Sequence, residues 1–200
     1  MMRIQKEMSV ASIALFHSVL GLRQVELEAA ARLRGAGHDV LLPNLFDGAK
    51  TDDLDEGFAI KASIGWDVIR ERALAASADL PSDAILAGIS MGAGVLAEVW
   101  PFRPNVRGVL LLHGLAALPG GARPGTPVHL HIAEDDPFFP GTEVGAWETQ
   151  ARRASLSVNV FTYRDAGHYF IDSASPDYNE EAATMLWQRL LRFLNIVDQR

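Results

Sequence analysis

The sequence predicts a single α/β domain whose core is a doubly wound, mostly parallel sheet of about six strands flanked by helices. Three observations favour this fold class. Short runs of consecutive apolar residues, typical of strands buried on both faces, alternate with segments whose apolar residues recur at helical spacing. The chain of 200 residues has the length of one domain and is long enough to bury a core. Neither a repeat nor a linker divides it, and we expect residues 1–8 to be a flexible N-terminus.

The strands are predicted from apolar runs that turn-forming residues bound. In chain order they cover residues 10–16, 39–42, 84–87, 106–112, 128–132 and 157–163. The first run ends at His17, Pro43 closes the second, and a loop rich in glycine and proline at residues 114–127 separates the fourth from the fifth. Runs of this kind are typical of buried parallel strands.

The helices are predicted from apolar residues at helical spacing between these runs. They cover residues 22–33, 54–78, 95–100, 144–154 and 178–196. Gly35 ends the first helix, Pro81 the second and Pro101 the third. The last is strongly amphipathic, because its apolar residues line one face.

The composition excludes several classes of function. The chain carries 18 Lys and Arg against 25 Asp and Glu, a net charge of −7, so we expect no nucleic-acid partner. With no cysteine there is no disulfide, no thiolate metal site and no cysteine nucleophile, which suits a reducing cytosol. The longest apolar stretches fall short of the roughly 18 residues that a membrane span needs, so we expect no membrane partner.

The N-terminal segment has a second interpretation. Arg3 and Lys6 precede the apolar residues 10–20, as in a signal peptide. Glu7 and His17 interrupt that pattern, and the apolar run is better used as the first strand. We therefore expect a cytoplasmic protein.

The most informative pattern follows the third predicted strand. Gly88-Ile89-Ser90-Met91-Gly92 fits G-x-S-x-G between a strand and a helix. A turn this tight strains the serine backbone, requires glycine at both flanks and leaves the serine oxygen exposed, while the helix N-terminus adds partial positive charge. The alternatives are a glycine-rich packing turn and a phosphate loop, but G-x-G-x-x-G and the P-loop lysine are both missing.

A serine hydroxyl needs a base to take its proton, and the base needs a carboxylate to fix its tautomer. His168 lies in the loop between the last strand and the last helix. The loop after the fifth strand offers Glu134, Asp135 and Asp136, which could equally form a solvated acidic turn before Pro137. Each of these features is weak alone.

Their order along the chain makes them specific. Serine, then acid, then histidine is the order of the α/β-hydrolase fold, and each candidate lies just beyond the carboxyl end of a separate predicted strand. Sites in open α/β sheets form at that edge. We therefore predict Ser90 as nucleophile and His168 as base, with the backbone N–H groups of Val19 and Met91 as an oxyanion hole.

Other residues are candidates for the pocket or for a metal site. The residues expected to line the pocket are His17, Ser18, His113, Phe138, Phe139 and Tyr169. His129 and His131 alternate on one strand ahead of the acidic loop, which invites a metal site, but further ligands at suitable spacing are missing. We expect no metal and no cofactor.

Together these segments resemble the dienelactone hydrolase family of α/β-hydrolases over residues 10–194. The matching pieces are Leu20-Gly21, Pro43-Asn44-Leu45-Phe46 with Gly48, Gly88 to Gly92, Asp136-Pro137-Phe138-Phe139-Pro140, Gly167-His168-Tyr169-Phe170 and the closing helix around Trp187 and Phe193. The resemblance implies Asp136 rather than Asp135 as the acid, because the family follows its acid with two or three residues and a proline. The short chain leaves no room for a lid between residues 113 and 128.

Three departures from the family pattern affect the expected substrate. Where this chain has Ser90, Ser18 and Asp172, the namesake enzymes have a cysteine nucleophile, a glutamate and a substrate-binding arginine. The differences disfavour dienelactone, an anionic lactone, and favour a neutral ester or a thioester.

The leading hypothesis is thus a serine hydrolase that cleaves a small-molecule carboxylic ester, lactone or thioester through an acyl-enzyme intermediate. One alternative is a catalytically silent module of the same fold that binds a ligand or a protein. Another is a metal hydrolase.

Overall fold

The computed structural model describes residues 10–199, so the flexible N-terminus predicted at residues 1–8 lies outside the described residues. Its centre is a six-stranded sheet in the order β2-β1-β3-β4-β5-β6. The strands are β1 (Ser12–Phe16), β2 (Asp39–Leu41), β3 (Ile85–Ile89), β4 (Val109–Leu112), β5 (Pro127–Ala133) and β6 (Ser157–Tyr163). Every neighbouring pair is parallel, which confirms the predicted fold class.

Helices cover both faces of the sheet. They are α1 (Gln24–Gly35), α2 (Leu54–Ile64), α3 (Trp66–Ala76), α4 (Met91–Val99), α5 (Gly141–Arg153) and α6 (Glu180–Val197), with a short 3₁₀ helix at Trp100–Phe102. The apolar faces of α1 and α6 form one core with the sheet, and those of α3, α4 and α5 form the other. Successive strand residues point to opposite cores, as Leu15 and Phe16 do in β1.

Two differences between the predicted and the observed helices have a clear cause. The helix predicted over residues 54–78 is two helices, because Gly65, with a φ of 85°, ends α2 and turns the chain before α3. The third helix begins at Met91 instead of residue 95, because the turn at Ser90 leads directly into it. Among the described residues, no helix is both long enough and apolar enough to cross a bilayer.

The strand order creates a crevice beside β1. The chain passes from β1 outward to β2 and then returns to β3 on the other side of β1. Such a switch point leaves room outside the carboxyl ends of the strands, where ligands bind in open α/β sheets. The segments that follow β1 and β3 meet at this edge, because Gly92, two residues after Ser90, packs against the carbonyl oxygens of Phe16 and His17.

Candidate active site

Ser90 occupies a strained turn between β3 and α4. Its φ of 51° and ψ of −112° lie outside the regions that residues other than glycine normally adopt. A β-carbon on Gly88 would lie 2.3 Å from the carbonyl group of Gly92, and one on Gly92 would lie 2.2 Å from the carbonyl oxygen of Phe16. The two glycines therefore let the turn close against β1.

The structure brings the predicted serine, histidine and aspartate into one hydrogen-bonded series. Ser90 Oγ lies 2.9 Å from His168 Nε2, and His168 Nδ1 lies 2.8 Å from Asp136 Oδ2. A carboxylate can only accept, so Nδ1 carries the proton and Nε2 of the neutral ring is free to accept from the serine hydroxyl. The series can thus draw a proton from Ser90.

Asp136 is the acidic-loop residue that reaches the histidine. It is buried, and its Oδ1 accepts the backbone N–H groups of Phe138 at 2.9 Å and Phe139 at 3.3 Å. Asp135 is exposed, and Glu134 forms an ion pair with Arg164. The sharp turn after Asp136 therefore holds one carboxylate against the ring.

The predicted oxyanion donors, Val19 and Met91, border the same cavity as Ser90. Met91 is the first residue of α4, where backbone N–H groups have no intrahelical acceptor. Val19 lies in the loop after β1 and is almost fully buried. Both residues therefore remain candidates for an oxyanion hole, which needs backbone donors at the wall of the cavity that holds the nucleophile.

A cavity of about 330 Å³ opens onto Ser90 and His168. Its other lining residues are Val19, Leu54, Phe58, Lys61, Trp66, Met91, Gly94, Leu115, Phe138, Phe139 and Tyr169. Of the pocket residues expected from the sequence, Phe138, Phe139 and Tyr169 are in this wall. Phe138 also packs against the base, with its ring centre 4.7 Å from that of His168.

The remaining residues expected in the pocket, His17, Ser18 and His113, do not line the cavity and have no exposed surface. Aromatic rings pack on the two histidines: Phe46 lies 4.9 Å from the His17 ring and Phe170 lies 4.5 Å from the His113 ring. Burial lowers the pKa of His113 well below its ordinary value, so its ring is neutral.

The sequence interpretation missed the part of the wall that α2 and its neighbours form. Leu54, Phe58 and Lys61 follow one another at helical spacing, which marks them as one face of α2, but not as a face turned toward Ser90. The ammonium group of Lys61 lies 5.3 Å from the centre of the Trp66 ring, a cation–π contact at the cavity wall.

The two histidines of β5 do not form a metal site with the acidic loop. His131 Nδ1 lies 2.7 Å from the hydroxyl of Tyr163, and burial lowers the pKa of His131 to about 3. The ring of His129 packs 4.4 Å from that of Phe193. Within residues 10–199 no group of three or more potential metal ligands comes together.

The sheet, the strained serine turn and the serine–histidine–aspartate series define an α/β-hydrolase fold. The chain belongs to the dienelactone hydrolase family, whose sequence profile matches residues 2–197. None of the curated proteins searched matches this sequence.

Solved structures with this fold include three that are similar over most of the chain. A dienelactone hydrolase-like promiscuous phosphotriesterase from metagenomic libraries has a TM-score of 0.78 at 20% identity, covering 96% of this chain and 88% of its own. The esterase PE8 has a TM-score of 0.59 at 16% identity, covering 90% and 93%. An esterase from Pyrobaculum calidifontis has a TM-score of 0.64 at 13% identity, covering 93% and 76%.

Proposed function

We propose that this protein is a serine hydrolase that cleaves a carboxylic ester, lactone or thioester through an acyl-enzyme intermediate. The observation that carries the proposal is the series from Ser90 Oγ through the His168 ring to Asp136, with contacts of 2.9 Å and 2.8 Å. Membership of a hydrolase family supports it.

In the first half-reaction, Ser90 Oγ attacks the carbonyl carbon while its proton passes to His168 Nε2. The carbonyl oxygen becomes an oxyanion that accepts hydrogen bonds from the N–H groups of Val19 and Met91. As the intermediate collapses, His168 returns the proton to the leaving alcohol or thiol, and the acyl group stays on Ser90.

In the second half-reaction, His168 takes a proton from water, which attacks the acyl carbon and releases the acid. Asp136 keeps the imidazole in the required tautomer and stabilises the imidazolium that forms at each step. No step needs a metal or an organic cofactor.

The cavity supports a neutral substrate with an apolar group. Most of its wall is aliphatic or aromatic, and among the described residues that line it Lys61 carries the one permanent charge. Asp172, where the namesake enzymes carry a substrate-binding arginine, is buried and lies 2.7 Å from Arg23. The site therefore lacks that arginine, and we expect neutral esters to be cleaved better than anionic lactones.

A fluorophosphonate probe combined with p-nitrophenyl esters, thioesters and lactones tests the proposal. We expect the wild-type protein to be labelled and Ser90→Ala to lose both labelling and about 10⁴- to 10⁶-fold in kcat. The matched control is Ser82→Ala, an exposed serine before β3, which should leave both unchanged.

The same experiment separates the alternatives. A folded wild-type protein that neither reacts with the probe nor cleaves any of the substrates would instead be a binding module. Activity that survives Ser90→Ala but is abolished by a chelator would indicate a metal hydrolase.

A further inference from the structure

We propose that His17 and Glu26 are positioning residues that clamp Ser18 from two sides, so that the N–H of Val19 points at the reacting carbonyl. This inference rests on the proposed function. The clamped segment, residues 17–21, is the loop that follows β1. Neither clamping residue borders the cavity, so neither can act on the substrate directly.

His17 holds the peptide plane that carries the Val19 N–H. Its Nδ1 lies 2.7 Å from the carbonyl oxygen of Ser18, and its Nε2 accepts the backbone N–H of Leu45 at 3.1 Å. The carbonyl of Ser18 and the N–H of Val19 belong to one planar trans peptide and point in opposite directions. By holding the Ser18 carbonyl, His17 therefore fixes the direction of the Val19 N–H.

Glu26 holds the other side of Ser18. Its Oε1 accepts the Ser18 hydroxyl at 2.7 Å and the Ser18 backbone N–H at 3.3 Å, and its Oε2 accepts the backbone N–H of Arg23 at 3.0 Å. All three partners donate to the carboxylate, which has no exposed surface. A buried carboxylate costs much free energy unless it is fully hydrogen-bonded, so this residue is unsuited to a purely space-filling role.

The Ser18 side chain carries the constraint forward along the loop. Its oxygen accepts the backbone N–H of Leu20 at 3.4 Å while it donates to Glu26, and the Ser18 carbonyl also accepts the N–H of Gly21 at 3.2 Å. Contacts on both sides of Val19 thus leave its peptide little freedom to flip.

Arg23 connects this clamp to the loop that carries the base. Its guanidinium forms an ion pair with Asp172, whose Oδ2 lies 2.7 Å away, and lies 6.0 Å from the Tyr169 ring centre. Asp172 follows His168 in the same loop, and its Oδ1 accepts the N–H of Ala174 at 3.0 Å. Arg23 also offsets the buried charge of Glu26. Asp172 therefore holds the Arg23 side chain in place, and it does not line the cavity.

The test uses Ser18→Ala, Glu26→Gln and His17→Gln in the full-length protein. Activity is measured per active site, counted by fluorophosphonate titration, on one p-nitrophenyl ester. Binding of a boronic acid, which forms a tetrahedral adduct with the serine, reports on the oxyanion hole separately from substrate binding.

Loss of a whole oxyanion donor typically costs 10²- to 10³-fold in rate, so we expect misdirecting one to lower kcat about 10- to 100-fold. KM should stay within about twofold, and the boronic acid should bind more weakly by the same factor as kcat falls. Ser18→Ala is the mildest variant, because it removes the hydroxyl and keeps the backbone contacts. If the other two variants do not fold, its kcat and its affinity for the boronic acid decide the test.

The matched control is His38→Gln, which removes another buried histidine, one that lies 3.8 Å from Asp198 and directly precedes β2, at the sheet edge opposite the site. It should lower stability without changing kcat per active site. If the three clamp variants behave in the same way, the clamp is refuted while the serine hydrolase stands. If the wild-type protein itself is not labelled, the proposed function fails and the clamp fails with it.

Discussion

Acid should destabilise this protein in part through His17, because its ring is held in one neutral form. Nδ1 donates to the Ser18 carbonyl and Nε2 accepts from the Leu45 N–H, so a second proton would face another donor. Burial, partly opposed by the bond to Ser18, lowers the pKa of His17 from 6.5 to about 4.

The sign and size of the effect follow from this shift. Between the two pKa values the unfolded chain binds a proton that the folded protein does not, so stability falls as the pH drops from about 6.5 toward 4. At 1.36 kcal/mol for each pKa unit, this residue removes about 2 kcal/mol at about pH 5 and about 3 kcal/mol at about pH 4. Above about pH 7.5 its effect is negligible, because neither state then binds the proton.

The assay is urea-induced unfolding of the wild-type protein and of His17→Gln at several pH values between about 7 and 5. Groups elsewhere in the chain contribute equally to both proteins, so the difference between the two curves isolates His17. We expect the variant to be less stable near pH 7 and the wild type to lose about 2 kcal/mol more on acidification. Parallel curves, or an NMR spectrum with the proton on Nε2 near pH 7, would refute the reasoning.

Three further predictions concern the turn, the pocket and a helix end. Gly92→Ala should lose probe labelling and more than about 2 kcal/mol of stability, because its β-carbon would lie 2.2 Å from Phe16 O. Thermal unfolding measures the loss, and the control is Gly145→Ala, where the added β-carbon meets nothing within 4 Å and the substitution should stabilise α5 by about 0.5–1 kcal/mol. Phe58→Ala should raise KM for apolar esters several-fold with little change in the melting temperature, since the ring borders the cavity and is 44% exposed; an unchanged KM across ester chain lengths would place the substrate elsewhere. Asn179→Ala should cost about 1 kcal/mol in urea unfolding and leave kcat unchanged, because its Oδ1 caps α6 by accepting the Ala182 N–H at 3.0 Å; no loss of stability would contradict that role.

The sequence alone was sufficient for features that depend on short stretches of chain. Continuous apolar runs and helical spacing predicted the parallel sheet, since a strand buried on both faces has to be apolar throughout. The G-x-S-x-G pattern predicted a strand–turn–helix unit at Ser90, because only glycine fits where the chains approach this closely. The order of Ser90, the acidic residues 134–136 and His168 then placed the three groups at one sheet edge, where the structure brings Ser90, His168 and Asp136 together.

Only the tertiary structure decided which side chains face the cavity and which do not. Helical spacing groups Leu54, Phe58 and Lys61 on one face of α2, but the bend at Gly65 and the packing of α2 determine that this face borders Ser90. His17 is the opposite case. It follows β1 as expected, but its bonds to Ser18 and Leu45 hold its ring away from the cavity. Such orientations depend on contacts between residues distant in sequence, and no local pattern encodes them.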